Sequence, residues 1–130
     1  MTSWTDVINF VRARYEVLED KDGWLRFRLS LADGRTQQVS AHHLPDLDGA
    51  EWVEISSPVG WADKLDLRRL LDLAGKTSVG GAGVVDGVAL LKHTVPLTDL
   101  DIEGEFGQPV QALVERADAF EHELTQSDEF

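Results

Sequence analysis

The stretch Trp24-Leu25-Arg26-Phe27-Arg28-Leu29-Ser30-Leu31 decides the fold of this 130-residue chain. Its apolar residues recur at every second position, which is the period of a β-strand with one buried face. The three leucines and the phenylalanine share one face, and the tryptophan, both arginines and the serine share the other. The pattern predicts a strand whose leucine face packs against helices.

The same alternation on both sides of this stretch predicts an antiparallel meander, because short turns that contain glycine separate the segments. The other predicted strands span 15–20, 35–43, 51–56, 77–85 and 88–95. A loop at 45–49 precedes the fourth strand, in which Val53 and Ile55 face inward and Trp52 faces outward. The last two strands form a hairpin joined at Asp86-Gly87.

Helical periodicity predicts a helix at each end of the chain. At the start, Ser3 and Asp6 form a capping-box pattern. The apolar positions of the first helix are Trp4, Val7, Ile8 and Val11. The apolar positions of the last helix are Ile102, Phe106, Leu113, Ala117, Phe120 and Leu124. Because a proline inside a helix removes a hydrogen bond, the last helix either begins at Pro109 after a separate turn or is kinked there.

A third helix is predicted in the middle of the chain, where Asp63 or Asp66 is a suitable N-cap and Gly75 a suitable end. Its apolar stripe comprises Leu67, Leu70, Leu71 and Ala74. Together the elements predict one α+β domain over residues 1–125, with an antiparallel sheet and helices at its N-terminus, middle and C-terminus. A flexible acidic tail is predicted for residues 126–130.

Composition narrows the class of protein. The chain has no cysteine, so disulfides and thiolate metal sites are excluded. The net charge is −12, and residues 99–130 hold ten acids but a single base, Arg116. Such a chain repels nucleic acid and anionic membranes as general partners. The first residues lack the pattern of a signal peptide, and no apolar run is long enough to span a bilayer, so we expect a cytoplasmic protein.

Candidate catalytic and metal-binding motifs are weak. The glycines at 80–83 lack the Lys-Ser/Thr pair of a phosphate loop, and glycines at a bend in the sheet explain them better. His42 and His43 are adjacent on a strand and therefore point to opposite faces. The aspartates of residues 46–51 fit a turn better than a calcium loop, and residues 56–60 do not form a nucleophile elbow. We expect no catalysis, no metal and no cofactor.

A possible binding surface follows from strand parity. Trp24, Arg26 and Arg28 cannot share a face with the leucines, and Trp52 joins them if Val53 and Ile55 face the core. Tryptophan and arginine are typical of interface hot spots. We expect these four residues to form one partner-binding patch; the alternative is that a helix or loop covers them within the monomer.

Several segments resemble YbjN-like proteins, which share the fold of type III secretion chaperones. These segments are Trp52-Val53-Glu54-Ile55-Ser56-Ser57-Pro58-Val59-Gly60, Val95-Pro96-Leu97-Thr98-Asp99-Leu100-Asp101, Glu105-Phe106-Gly107-Gln108-Pro109 and Ala117-Asp118-Ala119-Phe120-Glu121. The order of the predicted elements is similar as well. The resemblance implies a small cytoplasmic homodimer that holds an extended segment of a client protein, and it implies no catalytic residues.

The functional expectation is therefore a non-catalytic chaperone or adaptor that binds a client protein or peptide on its sheet. A competing hypothesis is a regulatory or toxin-neutralising protein that binds a folded partner through its acidic face. An enzyme with a dispersed site comes third.

Overall fold

In the computed structural model, residues 24–30 lie inside a six-stranded antiparallel sheet of order β1-β2-β3-β4-β6-β5. The structure describes residues 1–125, without the side chain of Asp33, and the tail predicted at 126–130 lies outside the described residues. The strands are β1 (Glu16–Lys21), β2 (Trp24–Ser30), β3 (Thr36–Leu47), β4 (Ala50–Trp61), β5 (Gly81–Val85) and β6 (Val88–Pro96). The helices are α1 (Trp4–Arg14), α2 (Leu67–Ala74) and α3 (Gln108–Thr125). The predicted α+β class is confirmed.

The core lies between one face of the sheet and the helices. Helix α3 lies across β3, β4 and β6, while α2 contacts both α3 and β5. The buried residues of the central strands are Leu25, Phe27, Leu29, Val39, Ala41, Val53, Ile55, Ala89 and Leu91. Every one of them belongs to the inward set of its strand, so the two-residue period of the sequence sets which face meets the helices.

Helix α1 begins as predicted. The Ser3 hydroxyl accepts a hydrogen bond from the Asp6 N–H, and the Asp6 carboxylate accepts one from the Ser3 N–H. These hydrogen bonds to Ser3, first of all the one from its backbone, hold the pKa of Asp6 below its ordinary value. On the buried side of the helix, Phe10 meets Phe106 edge to face, which ties α1 to the segment before α3.

Two predicted boundaries around the β3–β4 hairpin are wrong. Residues 45–47, predicted as loop, belong to β3, because a register shift between Leu44 and Leu47 lets the strand continue through Pro45. Strand β4 does not stop at residue 56 but runs to Trp61. It passes through Pro58 at a point where β3 no longer pairs with it, so the missing N–H costs no ladder bond there.

The last helix follows the first of the two predicted arrangements. Residues Ile102–Gly107 form a separate π-helical turn, and α3 starts at Gln108, which places Pro109 in its first turn. Phe106, Leu113, Ala117 and Phe120 are all buried, as their spacing predicts.

The apolar stripe predicted for the middle helix is wrong in part. Asp66 caps α2 by accepting a hydrogen bond from the Arg69 N–H, and the helix ends at Gly75, as predicted. Leu70 and Ala74 are buried, but Leu67 and Leu71 are exposed. The helix is only eight residues long and meets the rest of the protein along α3 and β5, so a narrow part of its stripe is covered.

Strand β5 is shorter than predicted, because residues 77–80 lead into it without joining the sheet. Gly80 has a φ of +88°, and a Cβ there would lie 2.5 Å from the Leu113 Cδ1 atom. This position requires glycine for both backbone and packing reasons, so Gly80 has a structural role.

Candidate functional site

The residues on the outward face of the sheet lie opposite the helices. The strand register pairs Trp24 with His42 and His42 with Glu54, while Trp52 pairs with Leu44. These residues occupy the same alternate positions of β2, β3 and β4, so they share a face. The side chains on it are half-buried or exposed, whereas Leu25, Ala41 and Val53, which alternate with them along the strands, are buried in the core. We call this surface the open face.

A groove of about 300 Å³ crosses the open face from β2 to β5. Its lining combines aromatic, aliphatic, polar and charged side chains: Trp24, Arg26, Gln38, Ser40, Glu54, Ser56, Pro58, Val85, Val88, Leu90 and Lys92. The polar side chains of β3 and β4 lie in the middle of the groove, and apolar side chains lie at its two ends. A long groove that combines apolar and polar groups is suited to binding an extended peptide.

The groove coincides with the place where β3 and β4 stop pairing. The last pair of their ladder is Ser40 with Ser56, and Gln38 and Pro58 line the groove beyond it. Side chains below the groove replace the missing ladder. The buried Gln37 amide donates to the Ser57 hydroxyl at 2.9 Å and to the Pro58 carbonyl at 2.7 Å. The Ser57 hydroxyl donates in turn to the Gln38 carbonyl at 2.6 Å. These side-chain hydrogen bonds connect β3 and β4 where the backbone ladder between them has ended.

Trp24 forms one wall of the groove and is held in place by His42. The two rings stack with their centroids 3.7 Å apart, and 43% of the Trp24 surface stays exposed. Burial lowers the pKa of His42 below its ordinary value of 6.5; the nearby Glu54 opposes this shift, and His43 and Lys92 add to it. The imidazole therefore favours its neutral form, which stacks without a charge that would need solvation.

His42 and His43 point to opposite faces of the sheet, as predicted. His43 stacks on Trp4 of α1 with ring centroids 5.3 Å apart, on the helix side of the sheet. Its Nε2 atom lies 3.0 Å from the Glu51 carboxylate. Within residues 1–125, no group of three or more potential metal ligands comes together.

The structure brings two of the four predicted site residues into the groove. Trp24 and Arg26 line it, and both lie on the open face. Arg28 lies further along β2, where its guanidinium is 3.6 Å from the Glu16 carboxylate. Trp52 lies on the same face between its cross-strand neighbours Leu44 and Pro96, outside the groove.

Sequence reasoning missed the second half of the groove. This half comes from the last hairpin, for which the sequence analysis does not assign inward and outward residues. It comprises Val85, Val88, Leu90 and Lys92. The signal was present: Ala89 and Leu91 are buried, so the residues that alternate with them face outward. What the sequence does not reveal is that β6, not β5, lies beside β4, and this strand order brings both halves of the groove together.

None of the helices within residues 1–125 combines the length and the apolar character needed to cross a membrane. A scan of the chain against protein-family models finds no match, and a search of curated proteins finds none either. The likeness to YbjN-like proteins stays a prediction.

Proposed function

We propose that this protein is a cytoplasmic, non-catalytic chaperone or adaptor that binds an extended segment of a client protein in the groove of its open face. The observation that carries the proposal is the groove itself, with the exposed Trp24 at one end and the aliphatic residues of β6 at the other. The apolar side chains at the two ends favour contact with apolar side chains of an unfolded segment. The polar row of Gln38, Ser40 and Ser56 between them offers hydrogen bonds to the backbone of that segment.

The acidic face of the last helix supports the competing hypothesis less well, because several of its acids are engaged within the chain. Asp118 accepts two hydrogen bonds from Arg35, at 2.8 and 3.0 Å. Glu103 pairs with Arg14, and Glu123 pairs with Arg69. These carboxylates are occupied in tying α3 and its preceding turn to other elements, which favours client binding on the sheet over docking on the helix.

We also propose that the protein forms a homodimer. A difference between the two edges of its sheet supports this. The β1 edge carries Glu16, Glu19, Asp20 and Lys21 and has a register shift, which are devices that block edge-to-edge pairing. The β5 edge, Gly81–Val85, has no charged residue.

Exposed apolar side chains accompany the β5 edge. Val84 is 51% exposed, Val85 is 47% exposed, and Leu71 of the neighbouring α2 is 61% exposed. An antiparallel pair of two β5 strands centred on Gly83 would set valine opposite glycine or alanine, so large side chains meet small ones. A charge-free strip also lets two chains of net charge −12 approach without local repulsion.

The test of client binding uses a permanently unfolded chain, reduced and carboxymethylated lactalbumin, with native lactalbumin as the folded comparison. Wild-type protein should bind the unfolded chain. Trp24→Ala should weaken this binding by roughly 2 kcal/mol, as loss of a hot-spot tryptophan does, while its circular dichroism stays unchanged. Leu47→Ala is the matched control, because Leu47 is similarly exposed but lies outside the groove.

Three results would count against the proposal. Equal binding by wild type and Trp24→Ala would remove the groove from the interaction. Unfolding of the Trp24→Ala protein would make the indole a structural residue. Salt-sensitive binding to a folded basic protein, with no binding to the unfolded chain, would favour the acidic-face hypothesis instead.

A further inference from the structure

One row of residues crosses the groove at right angles to the strands and ends at the β5 edge of the sheet. From β2 to β5 it comprises Arg26, Ser40, Ser56, Lys92 and Gly81, each directly opposite the next in the strand register. We call these five residues the central row. A Cβ at Gly81 would meet no atom within 4 Å, so in the described part of the chain the space above this end of the row is open.

A second row on the open face is apolar. It comprises Val85, Val88 and Trp61, again each directly opposite the next, and we call it the apolar row. Val88 lines the groove, and directly opposite residues of an antiparallel pair point to the same face, so Trp61 lies on the open face as well. The indole residue is 43% exposed, and Val85 is 47% exposed.

The two rows of one copy do not meet. Lys92 of the central row and Val88 of the apolar row are four positions apart along β6, which is roughly 13 Å. A straight segment that follows the central row therefore passes beside the apolar row of its own copy and leaves the sheet over Gly81.

Both rows reach β5 on the open face. Ala82 and Val84 line a small apolar notch between β5 and the leucines of α2, so they point towards the helices. Gly81, Gly83 and Val85 alternate with them and therefore point to the open face. The edge strand thus presents two glycines and one valine on the side of the groove.

Pairing of two β5 strands joins the central row of one copy to the apolar row of the other. In the antiparallel pair centred on Gly83, all five residues of Gly81–Val85 have a partner, and Val85 of the second copy lies directly opposite Gly81 of the first. The two-fold axis of such a pair is perpendicular to the sheet, so the open faces of both copies lie on the same side. The central row therefore continues on one face into the apolar row of the partner copy.

We propose that one client segment is bound by both copies of the dimer, in a composite groove formed by the central row of one copy and the apolar row of the other. This inference rests on the proposed function and its homodimer, and it adds that neither copy holds the whole site. Symmetry gives the dimer two such grooves. Each has Trp24 of one copy beside its first end and the partner's Trp61 at its far end, with polar side chains between them.

The length of the composite groove sets the length of the segment. From Arg26 on β2, the path crosses β3, β4, β6 and β5 of one copy, and then β5 and β6 of the other, before it reaches the partner's Trp61 on β4. At about 4.8 Å for each strand spacing, this path is roughly 34 Å long. An extended segment of about ten residues spans it, so the client segment has apolar side chains near both ends and polar ones between them.

The experiment uses full-length dimers whose two copies differ, purified through two affinity tags after co-expression. In the divided dimer, one copy carries Trp24→Ala and the other carries Trp61→Ala. One composite groove then keeps both tryptophans, and the other has neither. In the one-sided dimer, one copy carries both substitutions and the other carries none. Each composite groove then lacks one tryptophan.

Binding of the reduced and carboxymethylated lactalbumin chain is measured by fluorescence anisotropy. The divided dimer should bind it with wild-type affinity to within about twofold, because one groove is intact. The one-sided dimer should bind it about thirtyfold more weakly, as loss of a hot-spot tryptophan does. Both dimers contain the same two substitutions, so each is the matched control of the other. If circular dichroism shows that Trp61→Ala unfolds the protein, Val88→Thr in the same row replaces it in both dimers.

The outcomes separate this inference from the proposed function. If the one-sided dimer binds tightly and the divided dimer weakly, each copy has a complete groove, so the composite groove is wrong while client binding stands. If the Trp61→Ala homodimer binds as tightly as wild type, the apolar row is not part of the site and the inference is again wrong. If the wild-type protein is a monomer, the proposed dimer fails and this inference fails with it. If the wild-type protein does not bind the unfolded chain at all, the proposed function itself fails.

Discussion

Gly80 and Gly81 are adjacent, yet the structure needs glycine at the first and tolerates a side chain at the second. Gly80 has positive φ, and a Cβ there would meet Leu113 Cδ1 at 2.5 Å and the Lys92 carbonyl oxygen at 3.1 Å. At Gly81 a Cβ would meet no atom within 4 Å. Gly80→Ala should therefore lower the free energy of unfolding by about 1–3 kcal/mol, through backbone strain and overpacking.

Gly81→Ala is the matched control and should change stability by less than about 0.5 kcal/mol. Urea unfolding followed by circular dichroism measures both variants. Equal stability of the two variants would show that the chain passes Leu113 with more room than the structure indicates.

A second prediction at the residue scale concerns pH. Because burial holds the pKa of His42 below 6.5 in the folded protein, the unfolded chain binds the proton more readily. Well above pH 6.5, His42 is neutral in both the folded and the unfolded chain, so it does not make stability depend on pH. As the pH drops through 6.5 towards the folded pKa, the unfolded chain takes up the proton first, and the free energy of unfolding falls. Urea unfolding between pH 7.5 and about 5 should show this loss, and His42→Gln should show less of it.

The pKa of His42 also reports on the groove. Trp24→Ala removes the ring that stacks on the imidazole, so water reaches His42 and its pKa should rise towards 6.5. The imidazole resonance in an NMR titration measures the shift directly. A pKa that stays unchanged in Trp24→Ala would mean that other neighbours account for the burial of His42.

At the scale of elements, α3 is the helix that covers the sheet, and its apolar face supplies a large part of the core. Phe120 is buried on that face, so Phe120→Ala should lower the free energy of unfolding by about 3–5 kcal/mol, through lost burial and a cavity. Glu115→Ala, on the exposed face of the same helix, should cost less than about 0.5 kcal/mol. A loss below about 1 kcal/mol for Phe120→Ala would show that the helix packs loosely at this end.

At the scale of the whole molecule, the two sheet edges make opposite predictions for self-association. Light scattering of the wild-type protein should give about twice the chain mass of 14.4 kDa. Val84→Lys places a charge on the β5 edge and should give the mass of one chain, because edge charges oppose strand pairing. Glu19→Lys exchanges one charge for another at an exposed position of the already charged β1 edge and should leave the mass unchanged. A wild-type protein that is monomeric at tens of micromolar would contradict the proposed dimer.

Much of this fold is predictable from the sequence, because periodicity is a local signal. The alternation of residues 24–31 gives the inward and outward faces of β2, and the spacing of Phe106, Leu113 and Phe120 gives the buried face of the last helix. The partial error in α2 has the same origin. Periodicity shows that Leu67 and Leu71 share a side of the helix, but not how much of that side another element covers.

The groove is only half predictable for a related reason. Trp24 and Arg26 stand out on one strand, but their partners Val88 and Leu90 are more than sixty positions away in the sequence. Their meeting depends on β6 lying beside β4, and local patterns do not determine strand order. The end of the β3–β4 ladder at Ser56 also depends on contacts between distant segments, of which the Gln37–Ser57 hydrogen bond is one.

The one-sided sheet separates two demands on the same strands. On β2, the buried side chains of Leu25, Phe27 and Leu29 stabilise the core. Trp24 and Arg26 on the other face line the groove, where a partner would be bound. Substitutions at the second set leave the packing of the first set intact, so the preference for a partner can diverge between descendants of this chain while the scaffold persists. Alternate positions of one strand can therefore evolve separately, with the inward set under selection for folding and the outward set under selection for binding.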